Sequence, residues 1–298
     1  MDTKKHKTAP LYRLAGRTVA LTGSTGDLGS ALAPALHTLG ARLALLDPDG
    51  TAAHTQAARL GSGATARAWQ SDVRDLDTLT ASLDAAAAHF GRIDITIANA
   101  SIDIPAPLES IEPALYEQMI DTNLNGVWRT FRAALPHVSE QHGYLLATST
   151  MAGYTRSPLQ IPYSASKAAV WAMCNGLRLE VRHLGVGVGS VHPAALTGAT
   201  PGRVLNDSAV RTPWTDATSS GHMIPMDSVV QAIITGIERR ASQVILPRRP
   251  SPAARPGLVR PYVERFGSPG DTTRRDAQFT APTKGSPHGP GTPAATHP

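Results

Sequence analysis

The stretch Val19-Ala20-Leu21-Thr22-Gly23-Ser24-Thr25-Gly26-Asp27-Leu28-Gly29 decides how the rest of this chain is read. Its apolar opening reads as a strand, and Ala31-Leu32-Ala33-Pro34-Ala35-Leu36, just after the glycines, reads as a helix. Strand, glycine turn and helix in that order put backbone N–H groups and a helix N-terminus where a pyrophosphate can sit. Gly23, Thr25, Gly26, Leu28 and Gly29 are therefore candidate nucleotide-binding positions. A turn that merely joins a strand to a helix is the competing reading, and the flanking sequence has to separate the two.

Outward from this turn, short apolar runs alternate with helical stretches. The runs are Val19–Leu21, Leu43–Leu46, Ile93–Ala98, Tyr144–Ala147, Val186–Val191 and Val244–Leu246, and a strand near Thr65–Trp69 completes seven. Such alternation predicts an α/β fold, a Rossmann-like, doubly wound and mostly parallel seven-stranded sheet with helices on both faces. The Ala-rich segment Leu83–Ala88 reads as helix. Asp47 closes the second run about twenty residues past the turn, where an acid accepts adenosine ribose hydroxyls. It favours NAD over NADP, because a 2′-phosphate would meet like charge with no Arg or Lys beside it. Asp47-Pro48-Asp49-Gly50 is also good turn chemistry, and both readings can hold together.

Tyr163 and Lys167, in Tyr163-Ser164-Ala165-Ser166-Lys167, lie four residues apart and share one helix face. A cation there favours tyrosinate, which makes a phenol usable as a general acid or base near neutral pH. A solvated surface pair is the bland alternative.

With these pieces in order, residues 12–247 resemble the single-domain short-chain dehydrogenases/reductases. The resemblance implies that Asp72 and Val73 lie beside the adenine ring and that Asn99, in Ala98-Asn99-Ala100-Ser101, flanks the cofactor. It implies that Asn123 holds a water in a proton relay, that Thr150 occupies the catalytic serine position with Ser149 as alternative, and that Leu196, after Pro193, contacts the nicotinamide carboxamide. Tyr163 would carry the proton and Lys167 would lower its pKa and bond the nicotinamide ribose. The implied activity is hydride exchange between the nicotinamide and a small secondary alcohol or ketone. The implied assembly is a homodimer or homotetramer through helices at about 113–136 and 160–184.

Several positions depart from the family pattern. Asp27 stands where Gly is usual, Ser101 replaces the Gly of Asn-Asn-Ala-Gly, and Ala194 replaces the Gly of Pro-Gly. These changes raise a second hypothesis, a dinucleotide-binding sensor or scaffold without turnover. The literal spacing of Gly23, Gly26 and Gly29 raises a third, a sugar epimerase or dehydratase, which the lack of a separate substrate domain opposes.

Composition bounds the rest. A chain of 298 residues with 41% hydrophobic content supports one catalytic domain, here 12–247, after an N-terminal extension at 1–11. Residues 194–224, with Trp214 and Met223, read as a substrate lid. Residues 248–298 read as a disordered Pro- and Arg-rich tail. From Pro247 onward eight Lys and Arg face three Asp and Glu, an excess matching the whole chain's +5, so the basic balance belongs to the tail. Aromatic residues are sparse there and prolines interrupt any amphipathic helix, so neither a nucleic-acid nor a membrane partner is expected. Cys174 is the only cysteine, the histidines show no metal-ligand spacing, and no apolar run is long enough for a leader or a membrane span. The expectation is a cytoplasmic enzyme with no metal.

Overall fold

The computed structural model describes residues 11–154, 159–194 and 224–247. Seven strands form one sheet: β1 (Thr18–Thr22), β2 (Arg42–Asp47), β3 (Ala66–Gln70), β4 (Ile95–Ala98), β5 (Tyr144–Thr148), β6 (Gly187–His192) and β7 (Gln243–Ile245). Their order is β3-β2-β1-β4-β5-β6-β7, and every pairing is parallel. All seven expected strands are present, with ends shifted by a residue or two.

The helices are α1 (Asp27–Thr38), α2 (Gly50–Leu60), α3 (Leu76–Phe90), α4 (Pro113–Ile120), α5 (Gly126–Glu140), α6 (Ile161–Glu180) and α7 (Met226–Glu238). Strand alternation splits the core. Val19 and Leu21 pack with Leu32 and Leu36 of α1 and Ile233 and Ile237 of α7. Ala20 faces the other way, into a cluster with Leu83 of α3, Phe131 of α5 and Val170 of α6. Both faces are covered, which is why the strands read as unbroken apolar runs. Each buried Leu or Ile contributes about 1.5–3 kcal/mol.

Local chemistry sets the helix ends. The Asp49 side chain caps α2 by accepting from the Ala52 N–H at 2.9 Å, so the turn reading of Asp47–Gly50 holds. Asp75 caps α3 through the Asp77 and Thr78 N–H groups, and Gly91 closes it in the left-handed region at φ 78°. The stretch expected as one helix over about 113–136 is instead α4, a π turn at Asp121–Asn125, and α5, which runs through Pro136 to Glu140. At the end of that π turn Gly126 lies so close to Val73 that a Cβ would meet its Cγ2 at 2.7 Å.

The chain steps outward from β1 to β3, then crosses back to lay β4 on the free side of β1. That reversal opens a crevice beyond the carboxyl ends of β1 and β4, the usual place for a ligand in an open α/β sheet.

Candidate active site

The glycine turn lies at this crevice, and its glycines answer to different demands. Gly23 has φ +62°, and a Cβ there would meet the Ala100 backbone at 2.7 Å. A Cβ on Gly29 would meet the Gly23 carbonyl oxygen at 2.3 Å. Both are required by the protein's own packing. Gly26 is not: its φ is −67°, and a Cβ would find only the Gly23 oxygen, at 3.5 Å. A glycine in unstrained, uncrowded backbone at the N-cap of α1 fits close approach of a ligand, and Gly26 gives α1 no side-chain cap. The cradle therefore suits a pyrophosphate. Asp27 begins α1 as its first-turn acid; the N-cap itself is Gly26. Leu28 is turned into the core, which leaves only its backbone for a ligand.

Asp47, at the end of β2, is 5% exposed. Its Oδ2 accepts from the Thr25 N–H at 3.0 Å and its Oδ1 from the Asp49 N–H at 3.1 Å. The acid thus braces the glycine turn, and the Thr25 N–H is already committed. Asp72 is chelated by Arg74, with Nη2 to Oδ2 at 2.6 Å, and that guanidinium holds its carboxyl below the usual range. Asn99 is a cross-strand latch: its Nδ2 donates to the Gly23 carbonyl at 3.0 Å, and its Oδ1 accepts from the Thr148 hydroxyl at 3.1 Å.

Lys167 is 1% exposed, and its Nζ donates to the Thr148 carbonyl at 2.9 Å while lying 5.6 Å from the centre of the Tyr163 ring. Burial brings its pKa down to about 8, against the opposing charge of Asp103. Tyr163 is half-buried, and desolvation pushes its phenol pKa up; Asp103 adds to the rise and a hydrogen bond with Ser101 opposes it. The sequence reading had Lys167 lowering this phenol. The net direction for this phenol is instead upward, because desolvation is the largest influence on it.

The two hydroxyls at the end of β5 separate cleanly. Ser149 is 2% exposed and donates to the Lys167 carbonyl at 3.0 Å, which ties it to the backbone of α6. Thr150 donates to the Pro193 carbonyl at 3.0 Å and accepts from the Ala152 N–H at 3.3 Å. Asn123 is fully buried in the π turn; its side chain pairs with both the N–H and the carbonyl of Ile102 at 2.8 Å and reaches Ser166 Oγ at 3.3 Å. That side chain is fully engaged by protein, so a relay water would fall to its backbone.

Two residues, Asp103 and Gln160, escaped the sequence reading, and Ser101 entered it only as a departure from the family pattern. Ser101 reaches the Tyr163 phenol, Asp103 lies near both Tyr163 and Lys167, and the Gln160 amide donates to Asp103 Oδ2. The signal was available for Asp103, since it follows the carboxyl end of β4. Leu196, the lid positions Trp214 and Met223, and the tail lie outside the described residues. Among the described residues no cluster of three or more His, Cys, Asp or Glu could hold a metal, and no helix is long and apolar enough to cross a membrane.

A glycine cradle at the switch point, an acid at the end of β2 and a Tyr–Lys helix define a nicotinamide-linked oxidoreductase on a single α/β unit. The chain belongs to the short chain dehydrogenase family, whose model matches residues 17–207. It is 36% identical over 199 residues to (-)-trans-carveol dehydrogenase of Rhodococcus erythropolis, covering 61% of this chain and 72% of that protein. It is 31% identical over 187 residues to D-threitol dehydrogenase of Mycolicibacterium smegmatis, covering 62% and 72%. A solved structure, the 3-ketoacyl-(acyl-carrier-protein) reductase of Brucella melitensis complexed with NADH, superposes with a TM-score of 0.68 at 22% identity, covering 78% of this chain and 97% of that one. The protein is thus an NAD(P)-dependent alcohol or ketone oxidoreductase.

Proposed function

We propose that the chain exchanges hydride between NAD and a secondary alcohol or ketone, with Tyr163 carrying the proton. What carries this reading is the buried Lys167 ammonium 5.6 Å from the Tyr163 ring, on a helix beside the carboxyl end of β5. The nicotinamide supplies the hydride chemistry. In oxidation Tyr163 as phenolate takes the hydroxyl proton, and Thr150 orients the substrate oxygen by turning its hydroxyl away from the Pro193 carbonyl. Lys167, with a pKa of about 8, stays mostly protonated at neutral pH and supplies the charge that steadies the phenolate. Asn123 fixes the Ile102 segment and bonds Ser166 next to Lys167. Leu196 remains the proposed contact to the carboxamide.

The preference for NAD rests on Asp47. Each of its oxygens holds one backbone N–H and keeps a lone pair for a ribose hydroxyl, whereas a 2′-phosphate would be repelled. Self-association through α5 and α6 is supported by exposed Trp128, which lines a largely apolar groove with Phe131, Leu135, Met173 and Leu177. A cytoplasmic location, free of membrane and nucleic acid, completes the proposal.

NADH formation against paired secondary alcohols and ketones tests the activity, with Tyr163→Phe as control. Binding of NAD without turnover would favour the sensor reading; tighter NADP binding would overturn the role of Asp47. Sedimentation as a monomer would overturn self-association.

A further inference from the structure

Beside Tyr163 lies a polar pair that the catalytic reading does not use. The Gln160 amide donates to Asp103 Oδ2, while Asp103 Oδ1 and Gln160 Oε1 are both shut off from solvent with no hydrogen-bond partner. Gln160 is only 6% exposed. The pair is held firmly: Asn123 clamps both backbone groups of Ile102, the neighbour of Asp103, and the Ala106 N–H bonds the Leu159 carbonyl at 2.8 Å, next to Gln160. Two buried acceptors without donors are costly to a fold unless something else supplies the donors. Both vacant atoms accept, so the missing partner donates. Asp103 lies close enough to Tyr163 and Lys167 to shift both, which places the pair at the reacting end of the site. A cationic donor would face the Lys167 ammonium, so a neutral hydroxyl fits better.

We propose that Asp103 and Gln160 are specificity-determining residues that accept hydrogen bonds from a second hydroxyl of the substrate, making this site selective for diols and polyols over simple alcohols. This rests on the oxidoreductase reading above. Asn keeps the shape and one acceptor oxygen at position 103, whereas Leu removes the acceptor altogether.

The test measures kcat/KM with NAD for secondary alcohols of four to six carbons, each beside its vicinal diol, in wild type, Asp103→Leu and Asp103→Asn. NADH binding checks that each variant is folded. Wild type is expected to favour the diols at least ~10-fold, since a site built to bond a hydroxyl discriminates against its absence. The ratio should fall to about one in Asp103→Leu and to an intermediate value in Asp103→Asn. A wild-type ratio near one, or a ratio unchanged in Asp103→Leu, overturns the inference and leaves the oxidoreductase reading standing. Equal losses on both members of every pair would make Asp103 a residue acting through Tyr163 and also overturn it. Failure of wild type to reduce NAD with any pair overturns both.

Discussion

Asp94 and Asp103 flank β4, the first fully buried and the second half-buried with one oxygen shut off from water, and the fold treats them in opposite ways. At the amino end, Asp94 is fully buried and fully partnered, taking Arg17 at 2.7 Å, Arg92 at 2.6 Å and the Thr18 N–H at 3.0 Å. At the carboxyl end, Asp103 has one oxygen on Gln160 and the other on nothing, and burial raises its pKa to about 6. A satisfied buried acid fastens strands together. An unsatisfied one holds free energy in reserve, and in a parallel sheet that reserve belongs at the edge where ligands bind.

The largest way to sharpen this contrast is at the reactive end. Tyr163→Phe should lower kcat by about 10²–10⁴-fold while NADH binding persists, as measured by turnover and fluorescence titration. Turnover at the wild-type rate would remove Tyr163 from the mechanism.

The amino end should respond in stability instead. Asp94→Ala strands the Thr18 N–H and two guanidinium groups, at a cost of about 2–4 kcal/mol in urea unfolding. The pH profile of catalysis should not move.

Asp103→Asn should do the reverse. A carboxyl whose folded pKa is raised from 3.8 to about 6 gives its full stabilisation below pH 3.8 and loses it as pH rises through 6. Replacing it should therefore stabilise the fold at pH 7, by about 1–3 kcal/mol, with little change at pH 3.5. The same change removes negative charge near Tyr163, so the acid limb of alcohol oxidation should move to lower pH. Lower stability at pH 7 would mean that Asp103 is structurally satisfied like Asp94.

Gly26→Ala gives the smallest effect on the fold, within about 1 kcal/mol because a Cβ there meets nothing closer than 3.5 Å. Dinucleotide affinity should still weaken about tenfold, or roughly 1.4 kcal/mol. Unchanged affinity in a calorimetric titration would mean that the cradle does not hold the pyrophosphate.

Much of this is legible in the sequence. The strand–turn–helix around Gly23–Gly29 gave the sheet class, and spacing alone put Tyr163 and Lys167 on one helix face. Asp47 was found by its position after β2, although its bonds to Thr25 and Asp49 were not. The π turn at Asn123 was missed, because one extra residue in a helical turn leaves no mark on apolar periodicity. Spacing reports which charges are near Tyr163 and not how much water its phenol loses, and that loss is the largest influence on the direction of its shift.

The sequence by itself determined the order of strands and helices, the glycine cradle and the pairing of Tyr163 with Lys167, since all of these rest on local periodicity and short-range geometry. Only the tertiary structure decided that Ser149 faces α6, that Gly26 alone among the turn glycines stands clear of its neighbours, and that Asp103 is left short of a donor. Satisfaction of a buried polar group depends on atoms from distant segments, here residues 102–103, 123 and 160, and no local pattern encodes whether they will meet.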